Sequence, residues 1–161
     1  MKKLFVATAV ALGLSAAPAM ASDFAGPRFE ITAGADDVTG GVDPTDIAYG
    51  AALGYDLQFG KVVVGAEATA ANVFDRADLG VAARLGYVLN ENVLAYTRVG
   101  YTNLERPVVR GVTPKLDGVT VGGGLEVNVK GPVFAKAEYR YTDFEGSVGR
   151  HGALVGVGVR F

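Results

Sequence analysis

The sequence predicts an all-β fold, an eight-stranded antiparallel up-and-down barrel that crosses a membrane. Three observations support this prediction. Apolar and polar residues alternate in eight segments, the connections between them are alternately short and long, and the charged residues of the segments share one face. The chain has 161 residues, 23 of them Gly, and no apolar stretch at helical spacing ends in recognisable helix caps. Strand-period alternation is therefore the dominant signal.

The first 21 residues, MKKLFVATAVALGLSAAPAMA, are predicted to be a signal peptide. Lys2 and Lys3 precede an apolar run that ends in the small-x-small cleavage context of residues 19–21. This run is too short for a stable transmembrane helix. We therefore expect an export signal over residues 1–21 and one barrel domain over residues 22–161.

The composition excludes several functional classes. The chain has no Cys, so we expect neither disulfides nor a thiolate metal site in spite of export. The formal net charge is −2 and the basic residues are scattered, so nucleic acid is not an expected partner. The fold must be held by backbone pairing and side-chain packing.

Each predicted strand has about the ten residues that a tilted strand needs to cross a bilayer. Eight is also an even number, as single-chain bacterial outer-membrane barrels require. The predicted strands cover residues 26–35, 46–59, 61–70, 77–89, 92–103, 117–129, 132–142 and 151–161.

The connections alternate in length along the chain. Tight turns are predicted at residues 59–61, 89–92 and 129–132, where Gly, Asn, Lys and Pro favour a reversal. Long connections are predicted at DDVTGGVDPT, ANVFDR, LERPVVRGVTPKL and FEGSVGR. If the N-terminus lies in the periplasm, every tight turn lies there and four long loops lie outside, which is the asymmetry of an outer-membrane barrel.

The distribution of charge between the two strand faces indicates the environment of the barrel. In PVFAKAEYRYT, Ala135, Ala137 and Tyr139 share one face, whereas Lys136 and Glu138 lie on the other. A Lys or Arg on a lipid face near the midplane costs roughly 2–4 kcal/mol, so this segregation indicates an apolar outside and a polar inside. The charged residues assigned to the inside are Arg28, Glu30, Asp56, Glu67, Arg84, Arg98, Glu126, Lys136, Glu138, Arg140 and Arg160.

An eight-stranded barrel has room inside only for side chains, and glycines on the charged face make space for long Arg and Glu residues. Because an unpaired buried charge is costly, we expect these residues to pair into a network that closes the lumen. The alternative is a gated polar path through the same residues. The proposed network consists of Glu67, Arg84, Arg98, Glu126, Lys136, Glu138 and Arg140.

The end of the chain carries a more specific signal. The last strand, LVGVGVRF, alternates apolar residues and stops at Phe161, which resembles the C-terminal signal that the barrel-assembly machinery recognises in outer-membrane proteins. With EYRYTDF over residues 138–144, the chain resembles the eight-stranded OmpA-like and opacity-type family of outer-membrane barrels. The resemblance implies that Val157, Val159 and Phe161 form the assembly signal. It covers the barrel alone, without the peptidoglycan-binding domain of many OmpA relatives.

The resemblance implies an integral protein of the outer membrane of a Gram-negative bacterium, with a structural and surface-interaction role, adhesin- or antigen-like, through four extracellular loops. Its implied partners are outer-membrane lipid and lipopolysaccharide, the barrel-assembly machinery and a host or surface ligand. Arg106, Arg110 and Lys115 are candidates for loop contacts with lipopolysaccharide phosphates or a host surface. A narrow porin-like channel for small solutes is the alternative function, although wide aqueous channels need about sixteen strands.

We expect no catalytic activity, cofactor or metal. His151, Ser147 and Glu145 supply the three residue types of a base, a nucleophile and an orienting group. Ser147 lies in a predicted loop across Gly149, so the sequence does not specify the preorganised geometry that catalysis needs. The carboxylates within residues 36–46 lack the spacing of a calcium-binding loop and are expected to be solvated.

Overall fold

A computed structural model describes residues 24–38, 46–73, 76–105, 115–144 and 148–161. These residues form a closed barrel in which each strand pairs antiparallel with its neighbours in sequence and the last strand pairs with the first. The predicted fold class is confirmed. No helix in this part of the chain is long and apolar enough to cross a membrane. The strands are β1 (Gly26–Val38), β2 (Asp46–Phe59), β3 (Val62–Val73), β4 (Arg76–Asn90), β5 (Val93–Glu105), β6 (Lys115–Lys130), β7 (Val133–Phe144) and β8 (Val148–Arg160).

The two ends of the barrel differ in their connections. Residues 60–61, 91–92 and 131–132 form tight turns at one end. Gly60 and Gly131 adopt φ values of 61° and 56° there, in the left-handed region that favours glycine. The other connections join the strands at the opposite end and lie outside the described residues. In this class of barrel the tight-turn end is periplasmic and the opposite end is extracellular.

Several strands run further toward the extracellular end than the sequence predicted. The prediction of a long loop at ANVFDR is wrong, because β3 continues to Val73, β4 begins at Arg76, and these two residues pair across the ladder. β1 and β5 likewise continue to Val38 and Glu105. Continued pairing satisfies backbone amide and carbonyl groups at the rim, and this requirement outweighs the loop-like composition of these segments.

In the middle of the barrel the outer wall is apolar and the inner wall is polar. Ile47, Val129 and Val155 are 73%, 64% and 63% exposed. A soluble barrel has the opposite distribution, so this wall is one that faces lipid. Asp143 and His151 also lie outward and exposed at the extracellular rim. The charge-free surface is therefore the middle belt of the barrel rather than its whole outer face.

The interior is filled in three layers along the barrel axis. Apolar side chains, with Phe24 and Phe134 among them, are fully buried at the periplasmic end. Charged side chains fill the middle. Toward the extracellular end lie an Asp78–Arg150 ion pair and several threonines. The charged middle layer is the candidate functional site of the barrel.

Candidate functional site in the barrel lumen

Charged side chains of alternating sign form a closed ring of ion pairs across the middle of the lumen. Neighbouring members lie 2.5 to 3.3 Å apart, measured from nitrogen to oxygen. All of them belong to the odd-numbered strands β1, β3, β5 and β7, so the ring reaches across the barrel from wall to wall. The ring contains, in order, Arg28, Glu30, Lys136, Glu138, Arg98 and Glu67.

A branch of ion pairs joins the even-numbered strands to this ring. Arg28 contacts Asp56 of β2 at 3.0 Å, and Asp56 contacts Arg160 of β8 at 3.1 Å. Arg160 contacts Glu126 of β6 at 2.8 Å, and Glu126 contacts Arg84 of β4 at 2.7 Å. The ring and the branch together include a residue from each of the eight strands.

Glu138 accepts hydrogen bonds from four described side chains. Its Oε1 accepts from Arg98 and Arg140, both at 2.9 Å. Its Oε2 accepts from the Tyr96 hydroxyl at 2.7 Å and from Lys136 at 3.3 Å. The Glu138 side chain is fully buried, whereas that of Arg140 is 17% exposed. Glu138 is therefore the point where several cations depend on one carboxylate.

Small residues on the inner face give this network its space. A Cβ atom at Gly54 would lie 2.8 Å from the guanidinium carbon of Arg28, and one at Gly65 would collide with the Asp56 carboxylate. Burying charges costs several kcal/mol per ion unless their geometry is good and their remaining hydrogen bonds are satisfied. Close pairing within a fitted space offsets part of this cost, while Arg84 Nε and Nη1 and Arg98 Nε have no hydrogen-bond partner among the described residues.

The structure brings together all seven residues that the sequence assigned to a lumen network. Glu67, Arg98, Lys136 and Glu138 lie in the ring, and Arg140 is attached to it through Glu138. The remaining two, Arg84 and Glu126, lie in the branch. The network also contains four of the other charges that the sequence assigns to the inner face, namely Arg28, Glu30, Asp56 and Arg160.

An apolar plug fills the periplasmic end of the lumen. Phe24, Val63, Leu94 and Phe134 are all 0% exposed. The guanidinium of Arg160 lies 5.6 Å from the centroid of the Phe24 ring and 5.2 Å from that of Phe134, so the plug contacts the ion-pair branch directly. The plug and the ring are thus two successive layers of side chains that fill the lumen.

Sequence reasoning missed this plug, although a signal for it was present. Phe134 has the same strand parity as Lys136, and Leu94 the same parity as Tyr96 and Arg98, so each belongs to the inner face. The prediction of a polar inner face takes account only of its charged and small residues. Near the periplasmic turns the inner face is apolar instead.

The extracellular layer is less densely filled than the middle. Asp78 pairs with Arg150 at 2.7 Å and accepts a hydrogen bond from the Thr102 hydroxyl. Two cavities of about 20 Å³ adjoin Arg140, each with room for one water molecule. Arg150 was missed because the last strand was predicted to begin at His151, whereas it begins at Val148.

The histidine considered for catalysis faces away from the lumen. His151 Nδ1 lies 2.5 Å from the Tyr139 hydroxyl, and its ring centroid is 4.9 Å from that of Tyr141. His151 thus belongs to an aromatic cluster at the outer rim. Ser147 and Glu145 lie outside the described residues. Within the described ranges, no three His, Asp or Glu side chains are grouped so as to hold a metal ion.

The residues of the expected assembly signal lie on the outer wall at the seam between β8 and β1. Val157 is 54% exposed and Phe161 is 42% exposed, with Val159 half-buried between them. The Phe161 amide donates to the Pro27 carbonyl at 2.9 Å, so pairing continues to the last residue. Of the candidate loop contacts, Arg106 and Arg110 lie outside the described residues, and Lys115 is the first residue of β6.

Comparisons with known proteins agree with this architecture. The chain matches the family model described as outer membrane protein beta-barrel domain over residues 6–161. It is 27% identical over 136 residues to the 25 kDa outer-membrane immunogenic protein of Brucella ovis, a match that covers 76% of this chain and 67% of that protein.

Two solved structures share the fold at low identity. Neisserial surface protein A superimposes with a TM-score of 0.57 at 14% identity, over 84% of this chain and 96% of that one. The attachment invasion locus protein of Yersinia pestis, in complex with the heparin analogue sucrose octasulfate, superimposes with a TM-score of 0.59 at 18% identity, over 84% of this chain and 99% of that one. Since the family model spans nearly the whole chain, this protein belongs to the outer membrane protein beta-barrel domain family and is located in the outer membrane of a Gram-negative bacterium.

Proposed function

We propose that this protein is a closed outer-membrane barrel with a structural and surface-interaction role, adhesin- or antigen-like, exerted through its four extracellular connections. The observation that carries this proposal is the filled lumen, in which an apolar plug, a ring of ion pairs and the Asp78–Arg150 pair follow one another along the axis. An eight-stranded barrel is narrow enough for side chains to fill it. A barrel with a filled lumen contacts other molecules through its outer wall and its extracellular connections.

We further propose that the protein is not an enzyme. The one histidine, His151, lies outward at the membrane rim, where Tyr139 and Tyr141 surround its ring. A general base needs a preorganised nucleophile and an orienting group in a protected site. An exposed His in an aromatic cluster suits the lipid interface better than a catalytic centre, because amphipathic rings are favoured at that depth.

The names of related proteins support a surface role. The Brucella protein is described as immunogenic, and the Yersinia protein as an attachment invasion locus protein bound to a heparin analogue. For this chain we propose contact with a sulfated or phosphorylated surface, either lipopolysaccharide or a host ligand, through Arg106, Arg110 and Lys115. Guanidinium and ammonium groups form charge-assisted hydrogen bonds with such oxyanions.

Binding of the refolded protein to immobilised heparin tests this contact. The triple variant Arg106→Ala, Arg110→Ala, Lys115→Ala should bind at least about tenfold more weakly, a loss of about 1.4 kcal/mol. The matched control is the double variant Lys61→Ala, Lys130→Ala, which removes cations from the periplasmic end and should bind like wild type. Equal binding by all three proteins would refute the role of these loop residues.

We make three further proposals about the partners of this protein. The C-terminal strand, through Val157, Val159 and Phe161, is the segment that the barrel-assembly machinery recognises. Outer-membrane lipid surrounds the apolar belt. Nucleic acid is not a partner, in keeping with the net charge of −2 and the scattered basic residues.

A narrow channel for small solutes is the second candidate function. It is favoured by the two cavities beside Arg140, which leave space on the extracellular side of the ring. Single-channel current from the refolded protein in a planar bilayer distinguishes the two candidates, once a shift between unboiled and boiled gel samples has shown that the barrel is folded. Steady ion flux would overturn the closed barrel, and silence would support it.

A further inference from the structure

One of the two cavities beside Arg140 lies in a part of the lumen where hydrogen-bond donors outnumber acceptors. Among the residues that the structure describes, three arginines and a single carboxylate, that of Asp78, line it. Both oxygens of this carboxylate are already engaged, Oδ2 by Arg150 at 2.7 Å and Oδ1 by the Thr102 hydroxyl. The inward polar residues that line the cavity are Arg98, Arg140, Arg150, Asp78, Thr69, Thr102 and Thr120.

Two of these arginines are buried and keep a guanidinium nitrogen without a partner. Arg98 and Arg150 are each 4% exposed. Nε of Arg98 and Nη1 of Arg150 have no hydrogen-bond partner among the described residues. The third, Arg140, contacts Glu138 through its Nε. Because a buried donor without an acceptor is costly, the cavity favours a ligand that accepts hydrogen bonds.

The size of the cavity limits what this ligand can be. Its volume of about 20 Å³ has room for one particle of the size of a water molecule. Sulfate and phosphate are larger than this space. A water molecule fits, but it must also donate two hydrogen bonds, and the carboxylate of the cavity is already engaged. A monatomic anion only accepts, and it also compensates the charge of the surrounding guanidinium groups.

We propose that this cavity binds one chloride ion beside Arg140 and Arg150. Glu138 is shared by three cations, so an anion on the extracellular side of the ring supplies the compensation that this one carboxylate must otherwise divide. The competing source of negative charge lies nearer the extracellular end, where Asp36 pairs with Asp46 on the parity of the inner face. The proposal goes beyond the surface role of the protein and does not depend on its loop contacts.

Urea unfolding of the refolded barrel in lipid vesicles tests the proposal, with chloride exchanged for gluconate at constant ionic strength. Gluconate is too large for the cavity. Raising chloride from about 10 mM to about 300 mM should increase the folding equilibrium constant of the wild type at least about threefold, since a ligand that binds only the folded state stabilises it.

Three variants locate the effect. Arg140→Met removes one cation of the cavity. Ala71→Val narrows the cavity and changes no charge, because Ala71 lines this cavity and its neighbour. Both variants should lose the dependence on chloride. The matched control, Lys61→Met, removes one cation from an exposed periplasmic turn and should respond like the wild type. If Arg140→Met does not fold, Ala71→Val decides between the outcomes.

Bromide provides a direct second measurement, because it replaces chloride and scatters X-rays anomalously. Crystals of the wild type grown in bromide should show an anomalous peak in the cavity, and crystals of Ala71→Val should not. An equal chloride response in the wild type and in Ala71→Val would be a general salt effect and would overturn the proposal. No response in the wild type, or no bromide peak in its cavity, would also overturn it, because water or carboxylates nearer the rim would then satisfy the arginines.

Discussion

Neutralising Glu138 tests whether the ion pairs stabilise the barrel. The Glu138→Gln variant keeps the size of the side chain and removes the charge on which three cations converge. Arg98 and Lys136 each retain a second carboxylate of the ring. Arg140 loses the one carboxylate that the described residues offer it. The variant therefore leaves one half-buried cation, Arg140, uncompensated and weakens the pairing of two buried ones.

Removing one partner of a buried ion pair costs about 3–5 kcal/mol, chiefly because a charge remains without compensation. Two of the three cations keep a partner, and Arg140 is 17% exposed. We therefore expect the free energy of unfolding to fall by about 3 kcal/mol, the lower end of that range. Adding Arg140→Met to the variant should recover part of this loss, since it removes the uncompensated charge.

Urea unfolding of the refolded barrel in lipid vesicles measures this change, with the folded fraction read from the mobility of unboiled samples on a gel. Glu91→Gln, in an exposed periplasmic turn, is the matched control and should change stability by no more than about 0.5 kcal/mol. A loss below about 1 kcal/mol in Glu138→Gln would mean that water screens the ring as it screens surface pairs, and the reasoning would fail.

Three further predictions concern the plug, the inner glycines and the chain end. Phe24→Ala empties part of a fully buried plug and should lower the free energy of unfolding by about 3–5 kcal/mol in the urea assay; an unchanged midpoint would show that the plug does not contribute. Gly65→Ala forces the Asp56 carboxylate to move and should cost about 1–3 kcal/mol, whereas Gly123→Ala, on the outer face, should cost less; the reverse order would contradict the packing argument. Phe161→Ala should reduce the amount of barrel assembled in the outer membrane of cells while refolding in vitro stays normal, and an equal defect in both measurements would indicate a structural role instead.

The fold could be predicted from the sequence because strand periodicity assigns each residue to a face. One alternating segment such as VFAKAEYRYT specifies both a lipid-facing surface and the inward charges. The plug was not predicted, because Leu94 and Phe134 were not followed to the face on which their parity places them.

The pairing of charges within the lumen could not be derived from the sequence. Lys136 contacts Glu30 across a separation of 106 residues, and Arg160 contacts Asp56 across 104. Which cation meets which carboxylate depends on the register of every intervening strand and on the closure of β8 against β1. Sequence periodicity supplies the face of each residue and not its height within the barrel.

Because its ion pairs depend on strand register, the polar core can select one register, which the outer wall cannot do. If one strand slipped by two residues, its apolar side chains would still face lipid, and the wall would be almost as favourable as before. Its inward charges, however, would move by about 7 Å, more than enough to separate them from their partners. Since the ring and its branch include a residue from all eight strands, a slip anywhere in the barrel would leave buried charges uncompensated. The lumen charges therefore select one register among several that the lipid-facing surface would accept.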